Sequence, residues 1–137
     1  MLTLSAKAVY GLTAVLELAN NYNRGPLQIR DIANAHQIPQ HYLEQLLVVL
    51  KKSGIVESYR GAQGGYALAK PPVHVKVIDV LRSLDGKLEI VPEARRDGPL
   101  LFFWNALEKS IHLLLDKTVE ELMAEKQYAD EQFVYHI

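Results

Sequence analysis

Cysteine is absent from this chain. That excludes disulfides, a thiolate nucleophile and thiolate metal ligands together. Apolar runs long enough to span a bilayer are also missing, so no contact with a membrane is expected. The opening residues, MLTLSAKAVYGL, carry no basic leader ahead of an extended apolar stretch. The expectation is therefore a chain without a signal peptide, working in the cytoplasm. Charge of one sign is scarce as well: the net charge is −1 over 137 residues, which alone carries no signal for nucleic acid. Internal repeats and low-complexity segments are lacking. No nucleophile–base pair, usefully spaced carboxylate pair or cofactor loop stands out, so the chain is not expected to be an enzyme.

What is present reads as a folded domain. The composition is 49% hydrophobic and 23% charged, and the length fits one domain, alone or with an appended oligomerisation element. The charges divide along the chain. Residues 1–70 hold seven Lys/Arg against four Asp/Glu, and residues 71–137 hold eight against twelve. A basic first half and an acidic second half suit two different jobs, although an asymmetry of this size also arises by chance.

Helical spacing places Val9, Leu12, Leu16 and Ala19 on one face of a first helix, with Val15 beside them. Asn20, Asn21, Asn23 and Gly25-Pro26 end it. QIRDIANAHQ predicts a short second helix with Ile29, Ile32 and Ala33 inward. Ile38-Pro39 then forces a turn, because the residue before proline resists the helical conformation. PQHYLEQLLVVLKKSG predicts a third helix with a stripe of Tyr42, Leu43, Leu46, Leu47 and Leu50. Lys51 and Lys52 suit its negative end, and Gly54 suits its cap. Ile55-Val56-Tyr59 and Tyr66-Ala67-Leu68 predict two strands of a hairpin, closed by Pro71-Pro72. VKVIDVLRSLDG predicts a fourth helix with Val77, Val80, Leu81 and Leu84 inward and Gly86 as its stop. KLEIVPEARRDGP reads as a loop. LLFFWNALEKSIHLLLD predicts a long apolar helix with Leu100, Trp104, Leu107, Ile111, Leu114 and Leu115 in a stripe, widened by Phe102 and Phe103. Thr118-Val-Glu-Glu121 predicts a capping box opening a further short helix, and the tail ends in an apolar cluster.

Between the two strands lies RGAQGGYAL, residues 60–68, with three glycines. A phosphate-binding P-loop needs GxxxxGK and a strand-to-helix context, and neither is here. A tight hairpin explains the glycines better, since they supply positive φ and let the turn approach a phosphate backbone. Three helices followed by a hairpin make a winged helix-turn-helix: mainly α with a small β-hairpin, plus a long helix for dimerisation. In that fold the second helix of the pair, here 39–53, enters the DNA major groove, where each base pair shows a distinct donor/acceptor pattern. Its outward face should be polar, and it carries Gln40, His41, Glu44 and Gln45. Gln can pair with adenine and Glu can accept from cytosine. Lys51 would serve a phosphate. The wing, 55–68, offers Arg60, Gly61, Gln63 and Gly64, with Arg60 able to reach the minor groove or a phosphate. Each residue also has a plain structural reading. The glutamines and His41 can be solvated, Glu44 can pair with Lys51 or Lys52, Arg60 can pair with Glu57, and His36 can cap its helix.

HYLEQLL at 41–47, RGAQGGYAL at 60–68 and the start LTLSAKAVYGL together resemble the Rrf-two family of bacterial transcription regulators, over essentially the whole chain. The resemblance implies homodimers on palindromic, double-stranded promoter DNA. It implies that Glu44 shares in sequence choice, that Arg60 enters the minor groove, and that the long helix crosses its partner. Leu100, Phe103, Trp104, Leu107, Ile111 and Leu114 are the residues expected at that crossing. Many members hold an iron–sulfur cluster on three cysteines before the long helix. The matching stretch here, KLEIVPEARRDGPLLFFW, has neither cysteine nor histidine, so no cluster, metal or other cofactor is expected. His74, His112 and His136 are scattered without metal-ligand spacing.

The likeness is strongest to the cluster-free cysteine-metabolism repressor branch, through LDG at 84–86, DKTVEELM and the aromatic chain end before Ile137. In that branch the tail resembles a peptide that docks into cysteine synthase by a terminal isoleucine and carboxylate. Tyr135 and Ile137 are the matching candidates here; packing of Phe133 and Val134 back on the dimer is the alternative. The divisions expected are a DNA-binding domain at 1–72, a connecting helix and linker at 73–99, and a dimerisation helix and tail at 100–137. The leading function is a DNA-binding repressor. The competing one is a winged-helix module that binds protein through its acidic half and apolar tail.

Overall fold

A computed structural model describes residues 3–135. Their elements run α1 Ala6–Asn20, α2 Ile29–His36, α3 Gln40–Lys52, β1 Val56–Tyr59, β2 Gly65–Leu68, α4 Val77–Asp85, α5 Leu101–Leu115 and α6 Val119–Tyr135. Single 3-10 turns sit at 72–74 and 93–95. This is the winged helix-turn-helix with a long appended helix that the residue pattern predicts.

α1 starts at Ser5, whose hydroxyl accepts from the Ala8 N–H at 3.1 Å. The Ser5 N–H and hydroxyl both donate to the Asp85 carboxylate, tying the start of α1 to the end of α4. The buried face is Ala8, Gly11, Ala14, Val15, Leu18 and Ala19. This corrects the face expected from periodicity: Val9 is 52% exposed, and Leu12 and Leu16 are only partly covered. The physical reason is close approach. A Cβ on Gly11 would run into the Leu84 side chain of α4, so the small residues, not the large ones, face the tightest contact.

α2 and α3 meet through Gln37, which adopts φ +51, and the Ile38 N–H returns to the Ala33 carbonyl at 3.0 Å. Leu43, Leu46, Leu47 and Leu50 of α3 are essentially unexposed. Burying each such side chain contributes roughly 1.5–3 kcal/mol, and this row is the middle of the core. It packs with Val15 and Leu18 of α1, Ile32 of α2, Val56 and Leu68 of the hairpin, Val80 and Leu84 of α4, and Val75 and Val119. α3 ends with paired return bonds, Gly54 N–H to Lys51 and Ile55 N–H to Leu50, both 3.0 Å. Gly54 at φ +78 sits one residue past the cap Ser53, where the left-handed conformation is needed.

The hairpin pairs Val56 with Leu68 and Tyr59 with Gly65. Tyr66 also exchanges two backbone bonds of 2.8 Å with Leu27, just ahead of α2. The wing is thus stitched to the helix-turn-helix as well as to itself. Gly65 permits this. It sits at φ +144, and a Cβ there would strike the Leu27 peptide. Gly64 is buried, and a Cβ on it would meet the turn's own backbone, 2.8 Å from the Arg60 carbonyl carbon. Of the three glycines only Gly61, at φ +94, faces open space. Gly65→Ala should therefore destabilise the fold by about 2 kcal/mol or more, read as a lower melting temperature; an unchanged melting temperature would contradict this account of the wing.

α6 is longer than the short helix expected from the capping box. Thr118 does cap it, its hydroxyl accepting from the Glu121 N–H at 3.1 Å, but the helix then runs for 17 residues. The stretch AEKQYADEQ has little apolar periodicity to announce a helix. Strong helix formers carry it, helped by an i,i+4 pair between Lys126 and Asp130 at 2.7 Å.

A small clasp joins the end of α5 to the start of α4. The Val77 N–H donates to Lys117 at 2.9 Å, the Val119 N–H donates to Val75 at 2.7 Å, and Lys76 pairs with Asp116 at 2.6 Å. The Lys76 ammonium, bonded to Asp116, holds that carboxyl below its usual range, and the carboxylate in turn raises Lys76. The pair's contribution is complete between the ordinary carboxylate and lysine values. It fades as pH falls through the lowered Asp116 value, and again as pH rises through the raised Lys76 value. Asp116→Asn should lower the melting temperature slightly at neutral pH, the pair being solvent-exposed, and the gap to wild type should close in strong acid. A gap that persists there would assign the loss to something other than the ion pair.

Candidate nucleic-acid interface

The turn of backbone at Gln37 and the leucine row on its inner side fix which way α3 faces. With Leu43, Leu46 and Leu47 inward, Gln40, His41, Glu44 and Gln45 all stand exposed on the outer side. The His41 ring lies 3.2 Å from the Gln45 amide, one turn away. Val48, absent from the sequence-based set, is 45% exposed on this same face. Among the described residues Glu44 has no ion-pair partner, and Lys51 instead donates to the Ser58 hydroxyl at 2.6 Å. The pairing of Glu44 with Lys51 or Lys52 weighed from the sequence is therefore not formed. Lys51 ties the last turn of α3 to β1, so helix and wing share a fixed relation. His36 does not cap its own helix; its ring meets the Glu17 carboxylate of α1 at 3.2 Å.

Arg60 is exposed where β1 ends. Its alternative partner, Glu57, accepts from the Tyr59 phenol at 2.6 Å. That bond to a carboxylate raises the Tyr59 pKa, which keeps the phenol neutral. Among the described residues no carboxylate lies within ion-pair distance of Arg60. Gly61 and Gln63 are exposed at the tip, whereas Gly64 is buried beneath it. The Gln28 amide reaches the Ala62 carbonyl at 3.4 Å and braces the tip against the start of α2. The result is a polar helix face beside a braced wing that exposes the Arg60 guanidinium. That arrangement can present hydrogen-bonding side chains to base edges and a guanidinium to a groove or phosphate.

α5 carries a second feature. None of its 15 residues is buried. Leu100, Phe103 and Leu114 from the expected set are 48%, 49% and 65% exposed, and Leu101, Phe102 and Leu113 join them. Trp104, Leu107 and Ile111 are half covered, and Phe103 stacks edge-on against Trp104 with ring centres 5.2 Å apart. Leu100 just ahead of α5 and five large apolar side chains on the helix are thus left in water, more than scattered surface residues require. The segment 86–99 leading into α5 is held by Arg96, which pairs with Glu108 of α5. Among the described residues no helix is long and apolar enough to cross a membrane. Of the expected docking tail, Tyr135 ends α6, and His136 and Ile137 lie outside the described residues.

Comparison with known proteins agrees with this geometry. A model of the Rrf2 family, described as an iron-dependent transcriptional regulator, matches residues 4–125. The HTH-type transcriptional regulator CymR of Bacillus subtilis is 33% identical over 136 residues, covering 98% of this chain and 99% of CymR. A solved structure of CymR, the global cysteine regulator of B. subtilis, superposes with a TM-score of 0.84 at 35% identity, over 91% of this chain and 98% of that one. The structure of T. potens IscR superposes with a TM-score of 0.77 at 37% identity, over 93% and 90%.

The iron in the family's description does not fit the residues present. Between α4 and α5 the chain offers the carboxylates Glu89, Glu93 and Asp97, but no thiolate and no imidazole. Such a donor set is wrong for an iron–sulfur cluster. Among the described residues no three metal-binding side chains gather at one point.

Proposed function

The chain belongs to the Rrf2 family of DNA-binding transcriptional regulators, and from that premise we propose that it acts as a homodimeric repressor on palindromic promoter DNA, without an iron–sulfur cluster. The outer face of α3, with Gln40, His41, Glu44 and Gln45, reads base edges in the major groove. Lys51 and the wing residues Arg60, Gly61 and Gln63 contact the backbone or the minor groove, and the buried Gly64 shapes the tip. The exposed apolar side of α5, with Leu100, Phe103 and Leu114 beside the half-covered Trp104, Leu107 and Ile111, meets the same surface of a second copy. Residues 1–72 then form the reading head, 73–99 the connection and 100–137 the dimerisation arm and tail. Occlusion of a promoter is the simplest mode of action for such a dimer.

One observation carries this reading: α3 buries its leucines and leaves a wholly polar first two turns exposed beside the uncompensated Arg60. The likeness to a protein described as a global cysteine regulator supports sulfur metabolism as the regulated process. The resemblance of the chain end, not the structural likeness, is what suggests Tyr135 and Ile137 as a docking peptide for a cysteine synthase. The competing reading, a winged-helix module that binds only protein, predicts no sequence preference for DNA at all. Glu44→Ala separates the two. It should leave overall DNA affinity within a few-fold while flattening discrimination at one base pair in each half-site, a loss of roughly 1–3 kcal/mol. Unchanged discrimination at every position would remove Glu44 from base reading.

A further inference from the structure

α3 presents one row to the outside: His41, Glu44, Gln45, Val48 and Lys52, spaced three, four, seven and eleven residues from the first. All are exposed. Four are polar or charged, and one is not. Val48 leaves 45% of its surface in water although Val49, its neighbour, turns half inward. Val48 belongs to neither core cluster. A lone exposed valine is common on protein surfaces; what marks this one is its place in the row that reads DNA. Water gains nothing from it, and a β-branched residue is a weaker helix former than the alanine or glutamate an exposed site tolerates.

The major groove holds one apolar landmark, the C5 methyl of thymine. We infer that Val48 packs against a thymine methyl and selects thymine at one position of each half-site. The inference rests on the DNA-binding reading of α3 proposed above. Its geometry follows from the helix. Val48 lies four residues beyond Glu44, which is about 6 Å along the axis. With the helix lying along the groove, that is about two base-pair steps at roughly 3.4 Å each. The thymine therefore lies about two base pairs from the pair contacted by Glu44. Its recognition is methyl against methyl, with no hydrogen bond, so it adds preference without adding charge or salt dependence.

The test replaces thymine by uracil, one site at a time, in an operator obtained by selection from a random duplex pool. This removes only the methyl group. Wild-type protein should lose about threefold to fivefold in affinity at one thymine per half-site. Val48→Ala should bind the thymine operator weaker by a similar factor, and should be indifferent to uracil at that same site, because the partner methyl is already gone. Alanine is well tolerated in an exposed helix, so circular dichroism should show the fold intact. Equal uracil sensitivity in wild type and Val48→Ala, or no uracil-sensitive site at all, overturns the inference while leaving DNA binding by α3 standing. Failure of the wild-type protein to enrich any sequence overturns both.

Discussion

Leu114→Asp should give a folded monomer that has lost about a hundredfold or more of its affinity for a two-half-site operator. Leu114 is 65% exposed and belongs to neither core cluster, so the substitution costs the isolated chain little. At a symmetric contact between two α5 helices the same change buries a carboxylate twice, opposite apolar surface, and each uncompensated charge is expensive. A dimer engages its second half-site intramolecularly, which typically multiplies affinity by about 10²–10⁴; a monomer forfeits that factor. Sedimentation should show half the wild-type mass, with the helical circular dichroism retained. A mutant that stays dimeric would move the partner surface away from the C-terminal end of α5. Trp104→Asp is the less clean version of this test. Trp104 is half covered by its own chain, so a charge there disturbs the monomer as well.

The second large effect is at the wing. Arg60→Ala should weaken operator binding by about tenfold to a hundredfold. The guanidinium is exposed and has no carboxylate to satisfy it among the described residues, since Glu57 is taken by the Tyr59 phenol. Removing it therefore breaks no internal pair, and stability should hold. Two readouts distinguish how Arg60 acts. A phosphate contact predicts that the slope of log affinity against log salt falls by about one. Insertion into a narrow minor groove predicts something else: replacing A·T by G·C pairs beneath the wing should weaken wild type but not Arg60→Ala. An Arg60→Ala protein with wild-type affinity at every salt concentration would mean the wing does not touch DNA.

Much of this was legible in the residues, and the failures have physical causes. The leucine row at 43, 46, 47 and 50 announced α3 and its inner face, because large apolar side chains at helical spacing have few other uses. The hairpin was legible from its β-branched and aromatic ends and the glycines between. The reason for each glycine was not. Gly65 answers to Leu27, nearly forty residues earlier, and a contact so far away leaves no local trace. Periodicity misplaces the inner face of α1 by half a face because it weighs large residues, whereas the closest packing, at Gly11 against Leu84, selects small ones. The length of α6 is not legible because an exposed helix rich in Glu, Lys and Gln has no apolar stripe to follow. At the site, polarity points to base-reading residues and so does not mark Val48; its exposure appears only once α3 is packed. Likewise α5 was read as one apolar stripe. The fold divides it into a side half covered by its own chain and a side open to a partner.

The central claim is that α3 and the wing of a dimer read a specific duplex sequence. Selection of bound fragments from a random pool of double-stranded DNA tests it most directly. The account predicts enrichment of a palindrome, with half-sites about one helical turn apart and affinity that falls steeply as salt rises. A pool that emerges unenriched after repeated rounds, with weak binding indifferent to sequence, would contradict it and favour a module that works by binding protein.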